Sequence, residues 1–234
     1  MQTLTEAIWR LKPLGGLFNE AVLVTRFPVE TPAARRNLVY RAAQAGEIAI
    51  LRRGLYVLAE PFRQAAPEPA VLAPMLYGPS YLSFESALRF HALIPDVVQN
   101  AGAATSRRSR VFDTALGNFT FTTVPVEVLM AGVRSVPFES GSQTVTGLVA
   151  SPARAIADLV YTRREVSWEN DGRRFLEESL RIDRDELAAK LRLEELEATL
   201  ATFRHRRVRA FLEGLRLSLA RPPKTGRSKE GKPR

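Results

Sequence analysis

The residues best suited to chemistry in this chain are arginines and amides crowded into one short stretch. Arg35, Arg36, Asn37, Tyr40, Arg41 and Gln44 fall within ten positions, and Arg52 and Arg53 follow shortly after. Guanidinium forks match guanine edges and phosphate oxygens, while Asn and Gln match adenine edges, and a helix N-terminus itself favours phosphate. Such a set can read duplex DNA, or it can be the solvated face of a helix, where arginines ordinarily sit. Arg52-Arg53 at a hairpin tip favours DNA, because a wing in that position lies beside the sugar-phosphate backbone. The eight residues are therefore the expected DNA contacts.

Other reactive groups are sparse. Cysteine is absent, which excludes disulfides, thiolate nucleophiles and thiolate-bound zinc and fits a reducing, cytoplasmic setting. The two histidines, His91 and His205, are too few for a histidine-rich metal site. Asp183-Arg184-Asp185 has the D-x-D spacing of a nucleotidyltransferase, but no strand carries it and no Gly-Ser turn precedes it usefully. Glu177, Asp185 and Lys190 resemble a nuclease set without the β-hairpin that would converge them on a metal. Gly141-Ser142 reads as a turn between strands, with no phosphate-cradling glycines around it. His91, inside ESALRFHALI, reads as a packed histidine. Arg204, Arg206, Arg207 and Arg209 around His205 read as the polar back of a helix, balanced by Glu194, Glu195 and Glu197. No catalytic residue, metal or cofactor is expected.

The elements that must position the arginines follow from local signals. Thr31-Pro32 opens a helix, with Thr as N-cap and Pro where its missing N–H costs nothing. That helix runs through AARRNLVYRAAQ and stops at Gly46, which suits a left-handed cap. In EIAILRRGLYVL two apolar strands, 47–51 and 55–58, flank Arg52-Arg53-Gly54. With two earlier helices, the order over residues 1–60 is that of a winged helix-turn-helix. Three prolines mark residues 61–70 as a linker.

Residues 71–165 alternate between helix and strand. Helices are expected near 71–77 and over 83–93, and strands around 110–112, 118–124, 133–138 and 143–149. Phe119 and Phe121 face one side of the second strand, Thr120 and Thr122 the other. Ser151-Pro152 repeats the cap-plus-proline device before ARAIADLVYTRR. From about 168 the pattern is helical: Asp183-x-x-Glu186 imitates a capping box, and Val208, Phe211, Leu212, Leu215 and Leu219 make an apolar stripe. The fold class is α+β, with a mixed middle region, a helical C-terminal segment within 71–220, and a basic tail, 221–234, too polar to bury anything.

Charge sits unevenly on this frame. Of the formal +9, the tail carries +5 and the first sixty residues +3, while 166–220 is neutral. A polyanionic partner is therefore expected only through the two ends. No run of eighteen apolar residues exists, so no membrane helix is expected. The first residues lack the apolar core of a secretory signal.

Two further stretches carry a family resemblance. GPSYLSFESALRFHALIPD, residues 78–96, resembles the proline–serine–tyrosine, serine–alanine–leucine and histidine–glycine–leucine-isoleucine block of the AbiEi-type antitoxins, with Ala92 in place of glycine. VASPARAIADLVY, residues 149–161, is similar to their alanine–threonine–proline–glutamate–lysine helix, with Ala153 and Arg154 replacing the acidic and basic residues. LRRGLYVL, 51–58, resembles their wing. The resemblance spans about 20–165 and, more loosely, the helical end.

It implies an N-terminal winged helix-turn-helix that represses its own operon at an inverted-repeat operator in double-stranded DNA. It also implies a C-terminal domain, 71–220, that counters a nucleotidyltransferase-like toxin in a type IV toxin–antitoxin system linked to phage defence. No toxin-contacting residue is assigned, since Tyr81, Leu88, Ile156 and Leu159 read as core. The alternatives are a stand-alone regulator with a ligand- or partner-sensing C-terminal domain, a nuclease, and an architectural DNA-binding protein.

Overall fold

In a computed structural model, residues 3–63, 65–95, 100–124, 127–140 and 143–220 are described. The basic tail and the Gly141-Ser142 turn lie outside them. Ten α-helices and two sheets make the described residues an α+β structure. Among these residues no helix is long and apolar enough to cross a membrane.

The N-terminal elements are α1 (Leu4–Trp9), β1 (Leu17–Asn19), α2 (Glu20–Arg26), α3 (Pro32–Gln44), β2 (Ile48–Arg52) and β3 (Leu55–Leu58). The Thr31 hydroxyl accepts the Ala34 N–H at 3.1 Å, with Pro32 opening the helix as its type requires. Gly46 then leaves α3 at φ 70°, a conformation that costs glycine least. Arg53-Gly54 turns β2 into β3, with Gly54 at φ 79°. The three strands form an antiparallel sheet in the order β1-β3-β2. β1 has three residues, too few for alternation to show in the sequence.

Next come α4 (Pro69–Tyr77), β4 (Ser80–Leu82), α5 (Phe84–Phe90), β5 (Asn100–Thr105), β6 (Arg110–Thr114), β7 (Gly117–Thr123), β8 (Val133–Ser140), β9 (Gln143–Ala150) and α6 (Pro152–Thr162). Their sheet has the order β6-β7-β5-β4-β9-β8, with β5/β7 and β4/β9 parallel and the other pairs antiparallel. β4 and β5 were not expected: SYL is buried throughout and NAGAAT is small, so neither alternates. In β7, Phe119 and Phe121 are buried while Thr120 and Thr122 are not, as the alternation requires.

The chain ends in α7 (Trp168–Arg174), a π-helical turn (Phe175–Ser179), α8 (Arg184–Lys190), α9 (Leu193–Thr202) and α10 (Arg206–Ala220). These helices do not stand apart. Leu196, Phe203, Val208, Phe211 and Leu212 enter one apolar cluster with Leu88, Ile156, Leu159 and Val149. A second cluster joins the small sheet to the large one: Leu17, Leu51, Leu55 and Val57 pack with Leu72, Leu76, Phe119 and Phe121. Residues on both sides of the proline-rich stretch 61–70 thus share apolar core, and burying it fixes the small sheet to α4.

Candidate nucleic-acid interface and a buried polar cluster

On α3, Arg36, Asn37, Tyr40, Arg41 and Gln44 are all exposed, and Tyr40 retains 62% of its surface. At 100° per residue these five positions fall on one face. Val39 and Ala42, on the other side, are buried against Leu4, Ile8, Leu23 and Ile48. Among the described residues the side chains of Arg36 and Arg41 make no ion pair or hydrogen bond. Arg53 is exposed at the hairpin tip. The structure therefore brings five of the expected side chains onto one outward stripe and leaves Arg53 at the turn.

Arg35 and Arg52 depart from that expectation. Arg35 is 8% exposed. Its guanidinium donates to the Phe27 carbonyl at 3.4 Å and to the Glu30 carbonyl, and stands 3.6 Å from a Glu20 oxygen. It ties the α2–α3 turn to α3 and has no outward reach. One step along a helix is 100°, which separates a buried guanidinium from the exposed one of Arg36, and a run of arginines does not reveal where the core lies. Arg52 donates from Nε and Nη2 to the Met75 carbonyl, at 3.2 and 2.9 Å. That carbonyl belongs to the last turn of α4, where helix geometry leaves acceptors unpaired. Both donors face the helix end and not a duplex.

A second constellation is buried. The Tyr81 hydroxyl donates to Asp158 Oδ2 at 2.8 Å, and the Ser83 hydroxyl donates to the same oxygen at 2.7 Å. Arg154 Nε donates to Asp158 Oδ1 at 3.0 Å, and Nη1 donates to the Ala131 carbonyl at 2.6 Å. The Arg154 guanidinium lies between the rings of Tyr81 and Phe203, 5.1 and 5.2 Å from their centroids. Arg154 and Asp158 are fully buried. Burial pushes the Asp158 carboxyl above its ordinary pKa, against the opposing pull of Arg154 and the Ser83 and Tyr81 hydroxyls. Burial, with the Asp158 charge beside it, drives the Tyr81 phenol well above its ordinary value.

His91 Nε2 lies 2.8 Å from the Ala150 carbonyl. Burial lowers the His91 pKa, although the Ala150 bond opposes the shift; the neutral ring therefore donates from Nε2. These bonds join the two stretches that carry the family resemblance: 78–96 supplies Tyr81, Ser83 and His91, while 149–161 supplies Ala150, Arg154 and Asp158. Tyr81, Leu88, Ile156 and Leu159 are buried, as their apolar setting implied. The polar cluster itself went unread. Its sequence signal is Arg154-x-x-x-Asp158, an i,i+4 ion pair inside an otherwise apolar helix.

The remaining candidates have structural tasks. Arg207 donates to the Val160, Tyr161, Arg163 and Val166 carbonyls, closing the end of α6. Arg204 pairs with Glu127, and Glu195 holds Arg134 through two 2.6 Å bonds. Asp183 accepts the Asp185 and Glu186 N–H groups at 2.8 and 2.9 Å as the cap of α8. Lys190 Nζ donates to the Ala92 carbonyl at 2.8 Å. Among the described residues no three His, Asp or Glu side chains gather where a metal ion could sit. No protein-family model matches the chain, and no curated protein matches it.

Proposed function

We propose that the protein is a sequence-reading transcriptional repressor whose α3 enters the major groove of duplex DNA. The observation that carries this reading is the outward stripe Arg36-Asn37-Tyr40-Arg41-Gln44, on a helix followed directly by a hairpin tipped with Arg53. The order helix, strand, helix, helix, hairpin, with strands arranged β1-β3-β2, supports reading residues 1–60 as a winged helix-turn-helix. In such a layout the last helix contacts base edges and the hairpin flanks the backbone. Arg36 and Arg41 then supply forks for guanine or phosphate, Asn37 and Gln44 amides for adenine, and Tyr40 a ring and a hydroxyl.

The resemblance to AbiEi-type antitoxins extends the proposal. The repressor would act on an inverted repeat in its own promoter, and residues 71–220 would antagonise a nucleotidyltransferase-like toxin. Its support is that the two resembling stretches meet in the Tyr81–Ser83–Arg154–Asp158 cluster and through His91.

The test of the DNA role is a gel shift at fixed salt on the DNA upstream of the gene. Replacing both Arg36 and Arg41 by alanine should lower affinity by at least about 30-fold, each lost base or phosphate fork being worth about 1–3 kcal/mol. Affinity equal to that of the unaltered protein refutes the assignment. Growth rescue on co-expression with a nucleotidyltransferase-like neighbour tests the antitoxin role.

A further inference from the structure

We propose that the pocket between α1, the root of the β2–β3 hairpin and Pro61-Phe62 binds a small organic cation, an ammonium or guanidinium group on an apolar stem. None of the exposed α3 side chains lines it, so the site stands apart from the DNA reading above.

The pocket has a volume of about 350 Å³, within the range of small-molecule sites. Trp9, Pro61 and Phe62 give it apolar walls, and Trp9 keeps 53% of its surface exposed. Glu47 supplies a half-buried carboxylate. Its Oε2 accepts the hydroxyl of the buried Thr5 at 2.5 Å. Its backbone is pinned as well: the Glu47 N–H donates to the Ala42 carbonyl of α3 at 3.0 Å, and its carbonyl accepts the Ala59 N–H at 2.9 Å. Among the described residues no Lys, Arg or His side chain pairs with this carboxylate. Glu6 also lines the pocket, but Arg10 already answers it at 2.5 Å. Glu47 is therefore the one charge at the pocket that has a neutral donor and no counter-charge.

A carboxylate accepts up to about four hydrogen bonds, and a partly desolvated one is costly to leave uncompensated. An ammonium or guanidinium supplies the charge and the donors together. The exposed Trp9 ring favours the same group, because the face of a π system attracts a cation and that of Trp attracts it best. Pro61 and Phe62 can cover an apolar stem. A bare divalent ion demands several more oxygens than these walls offer, a neutral ligand leaves the Glu47 charge unanswered, and an anion is repelled by it. The volume suits a free amine or guanidine; a lysine side chain offered by a protein partner carries the same head and stem, and the two sources separate on testing.

Titration calorimetry of the full chain at fixed salt with n-hexylamine and with n-hexylguanidine tests the site. Saturable binding of at least one is expected. 1-Hexanol and hexanoate, which keep the stem and lack the positive charge, should bind at least tenfold more weakly, a loss of about 1.4 kcal/mol. Glu47→Gln retains an acceptor for the Thr5 hydroxyl and should weaken the cation by a similar factor. Trp9→Ala, at a half-exposed position outside the core, should weaken it about two- to fivefold, the size of an exposed cation–π contact. Glu6→Gln should leave binding within about twofold. A blocked Gly-Lys-Gly peptide should bind more weakly than the free cations. No saturable binding, equal binding by Glu47→Gln, or equal binding of hexanol overturns the site. An equal loss in Glu6→Gln overturns the assignment to Glu47, and tighter binding of the peptide overturns the free cation as the occupant.

Discussion

Arg35 and Arg36 are adjacent arginines with opposite expected phenotypes. Replacing Arg35 by methionine keeps the aliphatic stem and removes the guanidinium that holds the Phe27 and Glu30 carbonyls. Hydrogen bonds from a charged donor each contribute about 1.5–3 kcal/mol when both partners are desolvated. Here the carbonyls are only partly buried, and the Glu20 pair, at 3.6 Å with a half-exposed carboxylate, adds little. The expected loss is therefore about 2–3 kcal/mol, or roughly 4–12 °C in melting temperature for a chain of this size. Arg36→Met touches no partner and should stay within about 0.5 kcal/mol of the parent.

Urea unfolding followed by circular dichroism reads both values from the shift in midpoint at constant slope. A gel shift at a temperature where both variants are folded completes the comparison: Arg36→Met should lose duplex affinity. Equal stability of the two variants, or a larger loss for Arg36→Met, would refute the placement of Arg35 as an internal tie.

Three other outcomes follow from the structure and the charge distribution. Asp158→Ala should destabilise the protein by about 3–5 kcal/mol, because it strands the buried Arg154 without its carboxylate; replacing both by apolar residues should cost less, and denaturant midpoints of the single and double variants decide this. His91 is held below its ordinary pKa, so the folded state disfavours its protonation. Its contribution is fully present above the unfolded value of 6.5 and is lost as pH falls through the lowered folded value. Melting temperatures between pH 7.5 and 5 should show a steeper acid loss for the parent than for His91→Gln. Deleting residues 221–234, which carry a net +5, should flatten the dependence of duplex affinity on salt and leave sequence preference intact; an unchanged slope shows the tail to be idle.

Local chemistry made several elements readable in advance. Thr31-Pro32 and Ser151-Pro152 each combine a capping hydroxyl with proline at the first helical position, and both open helices as expected. The alternation in 118–124 placed Phe119 and Phe121 inward, and Asp183 caps α8 as its spacing indicated. Such signals act between residues a few positions apart, so they survive without knowledge of the rest of the chain. β1, β4 and β5 did not, because a short or uniformly buried strand carries no period to detect.

The stripe on α3 shows the division most clearly. Residue types alone determined that positions 35–53 are rich in guanidinium and amide groups, and helical periodicity determined that many of them share a face. Tertiary packing decided which arginines remain outside. Val39 and Ala42 must bury against α1, α2 and β2, and this rotates Arg35 inward onto the Phe27 and Glu30 carbonyls. Arg52 is drawn to the open carbonyl at the end of α4, twenty-three positions away in sequence. A side chain's identity is local, but whether it meets solvent or a carbonyl depends on which distant segments the apolar core brings beside it.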